Sequence, residues 1–334
     1  MRKAICGVFC AMAVAAALWG CGSGVDTREN SGMTEADAQG SGVESAEGQE
    51  SDSMAGVDAL TDAAGQDGAA VWSGDGTGVD DAAAESGNDS MESADAVGLA
   101  GTSFSVLGDS ISTFQGYNPV GYSVYFPEYG EVAHVEDTWW QRVADDLELT
   151  LYANGSSAGA TVAGDSTETD NPQCGCNELR TNDLSGPEGA CPDRVVIFMG
   201  ANDMLQAVPL GDNDGTGLVE EGEVKTFSDA YTLMLDKVQA NYPLAEIYCC
   251  TLPPMGDYGT DTPYVEFVNS RQLTSGDYGE VITRIAGNRG LPVIELYHCG
   301  ITVENLHEMT TDGVHPTTPG MACIAEAVKE ALCK

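Results

Sequence analysis

Five short apolar runs, each closed by a polar or glycine-rich turn, constrain this chain more than any other feature. They occupy 103–107, 149–153, 194–199, 246–252 and 291–296. Continuously apolar strands suit a parallel sheet buried on both faces. Stretches of helical spacing lie between or after them at 138–147, 226–240, 278–289 and 319–332. Thr226 or Ser228 is placed to cap the second of these helices, and Gly290 to end the third. Such alternation predicts βαβ units, and so a three-layer α/β/α sandwich around a five-stranded parallel sheet. No internal repeat is visible.

The remainder of the chain has a different character. Met1-Arg2-Lys3 is followed by an apolar stretch over 4–19 and then Gly20-Cys21. A basic start and a short apolar run fit an export signal and are too short for a stable membrane span. Leu18-Trp19-Gly20-Cys21 resembles a bacterial lipoprotein cleavage box, which implies a lipidated Cys21; an ordinary secretory signal or an uncleaved anchor is the alternative. Every version expects export, to the outer face of the cell membrane or beyond. Residues 22–101 hold 18 acidic side chains and one basic one, Arg28, among Gly, Ser and Ala. A segment this poor in large apolar residues cannot offset its chain entropy by burial and is expected to be a disordered, charge-extended spacer. Residues 102–334 then form a single domain of about 230 residues, enough for a sizeable core. A net charge of −40 disfavours nucleic acid or anionic lipid as partners, leaving the lipid anchor as the expected membrane contact.

Eleven cysteines need separate readings. Cys6 and Cys10 belong to the signal. Cys249, Cys250 and Cys323 fall on apolar strand or helix patterns and are expected as buried thiols. Cys174, Cys176 and Cys191 flank a polar loop, where export permits a disulfide. Cys174-Gly175-Cys176 lacks the spacing and the partner pair of a zinc site, so a loop-stapling disulfide is expected in preference to a metal.

Loops after parallel strands gather at the carboxyl edge of the sheet, where ligands bind in open α/β folds. Ser110 follows the first strand, 154–161 the second, and Asn202 the third; Asp312 and His315 lie between the fifth strand and the last helix. A serine hydroxyl needs a base to become a nucleophile. His315 is the candidate base, with Asp312 three residues earlier to fix its tautomer. An oxyanion would find donors in the Ser110 N–H, the Gly159 N–H and the Asn202 amide. Gly155 competes with Gly159 for that role.

These residues also carry a resemblance. Gly108-Asp109-Ser110-Ile111-Ser112, the run from Asn154 through Gly159 to Thr161, Gly200-Ala201-Asn202-Asp203, and Asp312-Gly313-Val314-His315-Pro316 resemble, in order, the four sequence blocks of the SGNH hydrolases, or GDSL esterases and lipases. Ile111 stands where the name-giving leucine usually does. The resemblance implies a flavodoxin-like fold, an acyl-enzyme mechanism needing neither cofactor nor metal, and an acylated small molecule or glycan as substrate. With export, it points first to deacetylation of carbohydrate. A lipase or lysophospholipase, and a non-catalytic glycan-binding lipoprotein on the same scaffold, are the competing readings.

Tyr117, His134 and Trp139 are the candidate substrate contacts, from the tyrosine-rich loop at 116–137 and the helix after it. One at least of Trp139 and Trp140 should pack into the core. His298 and His307 read as structural or exposed, Asp109 as a support for its turn, and Arg180 as half of a surface ion pair.

Overall fold

The computed structural model describes residues 98–257 and 265–334. The expected signal, its Cys21 and nearly all of the acidic spacer lie outside the described residues. Leu99 is already buried, and the Gly101 N–H donates to Glu148 O at 2.8 Å.

In chain order the elements are β1 (Ser103–Gly108), α1 (Trp139–Asp146), β2 (Thr150–Asn154), β3 (Gly164–Asp165), α2 (Glu178–Asn182), β4 (Arg194–Phe198), α3 (Ala201–Leu205), β5 (Glu223–Val224), α4 (Phe227–Asn241), β6 (Glu246–Cys250), α5 (Ser275–Asn288), β7 (Val293–Ile294), α6 (Leu306–Met309) and α7 (Thr318–Leu332). Five of the strands form one parallel sheet in the order β2-β1-β4-β6-β7. β3 and β5 pair as a small antiparallel ribbon. α1 packs with α7 on one face, and α4 lies between α2 and α5 on the other. The expected three-layer α/β/α sandwich is the fold. Chain order reverses at β1, between β2 and β4, which is the switch point where such sheets open a crevice.

β1, β4 and β6 are the buried centre: Phe104, Val106, Leu107, Val195, Val196, Ile197, Phe198, Cys249 and Cys250 have no exposed surface. β2 is an edge strand and half exposed over much of its length. The fifth strand is shorter than its apolar run, because only Val293 and Ile294 align with β6. Helix starts follow side-chain caps. The Thr138 hydroxyl accepts from Gln141 N–H, and that of Thr226 from Asp229 N–H. α5 begins three residues before its expected start, at a reciprocal capping box between Thr274 and Asp277. Among the described residues, no helix is long and apolar enough to cross a membrane.

Candidate active site

The Ser110 turn is locked from below. After β1 ends, the Asp109 carboxylate accepts from the Ile111 N–H at 3.1 Å, starting a short 3-10 turn over Ser110–Ser112. The Ser112 carbonyl accepts from Trp140 Nε1 at 3.0 Å and from Asn154 Nδ2 at 2.8 Å. Its hydroxyl accepts from Trp139 Nε1 at 3.1 Å. Both tryptophans are fully buried. Trp139 is therefore not a substrate contact: its ring packs edge-on against Phe198, and its one polar atom serves the Ser110 turn.

The His315 turn is just as local. Asp312 Oδ1 accepts from the Val314 and His315 N–H groups at 3.0 and 2.8 Å. Gly313 takes φ +91°, a left-handed value that a side chain would strain. The Thr317 hydroxyl then accepts from Gly320 N–H and starts α7. With this turn in place, His315 Nδ1 lies 2.7 Å from Asp312 Oδ2, and Nε2 lies 2.9 Å from Ser110 Oγ. An Nδ1–H donating to the carboxylate leaves Nε2 to accept from the serine hydroxyl. Burial alone raises the Asp312 carboxyl, but the hydrogen bonds and charge of His315 outweigh it and hold the group below its usual value. Ser110 and His315 are themselves nearly covered, at 6% and 5% exposure.

The loop after β2 faces this pair. Gly155 N–H donates to Val106 O at 2.8 Å, so that donor is committed to extending the β2 pairing. Gly159, at φ +80°, has an N–H that meets no acceptor among the described residues, and the same is true of the Ser110 N–H. Asn202, in the first turn of α3, donates one amide hydrogen to Ala160 O at 3.0 Å, leaving its second for another acceptor. The Ser110 N–H, the Gly159 N–H and one amide hydrogen of Asn202 are thus left open on the loops that follow β1, β2 and β4.

Distant buried charges hold that loop. Asp203 is fully buried and accepts from the Val162 and Ala163 N–H groups at 2.7 and 3.0 Å. Burial pushes its carboxyl up to about 7 against the pull of those two bonds, and that of Asp109 to about 6. Arg180 is not a surface ion pair. Its guanidinium is fully buried and donates to Gly108 O and Pro172 O at 2.6 Å and to Gly155 O at 2.9 Å. It ties the end of β1 to the loop after β2, a use of the planar fork that a point charge could not copy. Burial lowers its pKa to about 10, which leaves it charged at neutral pH. Nothing in its local sequence separates this arginine from an exposed one.

The other expectations divide. Tyr117 is 44% exposed and rests on Trp140, with ring centroids 5.3 Å apart. His134 is exposed in a short turn before α1. Cys174, Cys176 and Cys191 carry no disulfide. Cys174 Sγ sits 3.4 Å from Cys176 Sγ, a thiol contact well beyond a covalent bond. The segment is instead held by backbone bonds from Gly175 N–H to Thr161 O and from Cys176 N–H to Val162 O. The Cys174 contact, followed by burial, pushes the Cys176 thiol far up. Among the described residues, no group of three or more His, Cys, Asp or Glu could hold a metal ion. A cleft of about 650 Å³ opens beyond β6 and β7, lined by Thr251, Asp277, Arg284, Glu295 and Tyr297; Ser110, Asp312 and His315 do not line it.

A family model described as GDSL-like lipase/acylhydrolase matches residues 102–258, which include Ser110, Gly159 and Asn202. A solved structure described as a GDSL-like lipase, from Bacteroides ovatus, is 27% identical with a TM-score of 0.51, covering 69% of this chain and 97% of its own. Another, from Bacteroides uniformis, is 24% identical with a TM-score of 0.50, covering 69% and 94%. A protein from Lactobacillus plantarum shares the fold at 20% identity and a TM-score of 0.51, covering 70% and 96%. No curated protein matches the chain significantly. Over residues 102–258 the chain resembles the GDSL-like lipases and acylhydrolases, the SGNH hydrolases, and it shares their fold.

Proposed function

We propose that this protein is a serine esterase that hydrolyses carboxylic esters through an acyl-enzyme, taking acetyl groups from carbohydrate. The observation that carries the reading is the hydrogen-bonded run from Ser110 Oγ through His315 to Asp312, at 2.9 and 2.7 Å. Ser110 Oγ attacks the ester carbonyl as its proton passes to His315 Nε2, and Asp312 stabilises the imidazolium. The oxyanion accepts from the Ser110 N–H, the Gly159 N–H and the second amide hydrogen of Asn202. Gly159 takes this role over Gly155, whose N–H is held by Val106. The carbonyl re-forms, the alcohol leaves with the proton from Nε2, and a water activated by the same nitrogen releases the acid.

Exposed aromatic rings beside the site support a sugar-bearing substrate. Tyr117 is 44% and Tyr129 54% exposed, and both lie on the loop that crosses the Ser110 turn. Rings presented this way suit the apolar faces of a pyranose. The same proposal tethers the enzyme outside the cell membrane through a lipidated Cys21 and the acidic spacer. The basic start, the short apolar run and the Gly20-Cys21 pair support this.

The test is turnover of p-nitrophenyl acetate by the full chain, followed by a panel of acyl lengths and acetylated glycans. Acetate release should far exceed release of long fatty acids. A preference for long chains selects the lipase reading, and a parent protein without turnover selects the binding protein. A Cys21→Ala change should move the esterase from the membrane fraction to the soluble one.

A further inference from the structure

Tyr125 lies in the loop between the Ser110 turn and α1, and it touches His315 and Asp312 and reaches Ser110 through Thr113. Its ring is stacked on the His315 imidazole with centroids 3.5 Å apart and planes 7° from parallel. Its hydroxyl donates to Asp312 Oδ2 at 3.1 Å, the oxygen that also faces His315 Nδ1. Its backbone N–H donates to the Thr113 hydroxyl at 2.9 Å, which in turn donates to Ser110 O at 3.0 Å.

The placement is built from both sides. Gln115 N–H donates to Phe126 O at 2.9 Å, fixing the loop to the segment after Ser110. Ala158 N–H donates to Ser123 O at 2.8 Å, fixing it to the loop that carries Gly159. Tyr129 N–H closes a turn on Tyr125 O at 2.9 Å, and the buried Phe126 ring meets the imidazole edge-on. The imidazole is thus held in plane by Asp312, on one face by Tyr125 and at an edge by Phe126.

We infer that Tyr125 is a positioning residue of the esterase reaction, fixing the His315 ring plane and stabilising the imidazolium that forms as Ser110 attacks. The face of an aromatic ring carries negative potential, so a positive imidazole is held more strongly than a neutral one. An interaction stronger in the transition state than in the ground state raises kcat rather than lowering KM. The phenol adds a further donor to Asp312 and keeps that carboxylate aligned with Nδ1. The inference rests on the esterase reading proposed above.

Kinetics of the full chain, with Tyr125→Phe and Tyr125→Leu variants, test it. Among the described residues, Asp312, the Tyr125 phenol and the buried Asp109 are charged or titratable groups that face the imidazole. Removing the ring should lower kcat by roughly 30-fold to 100-fold with KM within about twofold, and move the acid limb of the kcat/KM profile to lower pH. Phe keeps the ring and should recover kcat to within about tenfold of the parent, with the limb no lower than the parent's. Should Tyr125→Leu not fold, Tyr125→Gln takes its place as the ring-less variant. Parent-like kcat in the ring-less variant overturns the inference. So does a loss of kcat that tracks the melting temperature while the acid limb stays in place. A parent without turnover is distinct from both, because it removes the esterase reading and the inference together.

Discussion

The two walls of the site are built in opposite ways. On one wall, Asp312 and His315 sit on a single tight turn, and the carboxylate binds the backbone of the residues that follow it. On the other, the loop from Asn154 to Ala163 is held by residues far away in sequence: Arg180 on Gly155 O, Asp203 on Val162 and Ala163, and Asn118 on the carbonyls of Asn154 and Ser156. In the proposed reaction the first wall carries the proton chemistry and needs only a turn. The second presents backbone N–H groups, which have no side chain of their own to aim them, so buried charges fix the peptide planes instead.

Variants on the two walls should therefore fail differently. The largest effect belongs to Ser110→Ala, which should lower kcat roughly 10⁴-fold or more with an unchanged melting temperature. Residual turnover near the parent level would assign the nucleophile elsewhere. Arg180→Leu comes next and should act on stability, with a loss of about 3–5 kcal/mol in urea unfolding, because three carbonyls lose their donor and buried Asp109 its nearby cation. If that loss is below about 1 kcal/mol, the second wall does not depend on buried charge. Asn202→Ala should lower kcat about 10²–10³-fold and barely change KM. An effect confined to KM would place the amide on the bound substrate and not on the oxyanion.

The smallest effect separates the walls by pH. Asp203 and Asp109 are raised to about 7 and about 6, so between pH 4 and those values the folded state holds protons that the unfolded chain has released. Stability should fall with rising pH across that window, most steeply below about pH 6 where both groups hold the extra proton, and level off above pH 7. Asp312 works the other way. Its folded value is depressed, so its contribution is present at neutral pH and lost as pH falls below the usual carboxylate range. Denaturant midpoints measured from pH 4 to 8 check the sign. A midpoint rising through that interval would mean that the buried carboxyls are ionised throughout.

Local patterns made much of this readable. The Ser110 turn follows a run of apolar residues, and the Asp312-x-x-His315 spacing is closed by a turn that its own residues dictate. Trp139, Arg180 and the Cys174–Cys176 segment differ from what the sequence predicts for a shared reason. Each has an ordinary local sequence, and its role is set by partners elsewhere: Ser112, Gly108 with Gly155, and Thr161 with Val162. Tyr125 was visible only as one of several tyrosines in a loop. The fifth strand is short because pairing with β6, and not the length of an apolar run, decides where a strand ends.

The amino-acid sequence by itself determined the layered α/β/α fold, the order of the motifs along it and the edge of the sheet where they gather. Periodicity and turn chemistry act between neighbours, so they can be read without knowing what lies across the sheet. Tertiary structure alone decided which glycine keeps an open N–H, where the one fully buried guanidinium among the described residues points, and that Tyr125 lies flat on His315. Those outcomes depend on contacts between segments about 25 to 190 residues apart, formed only when the crossovers bring them to the same edge.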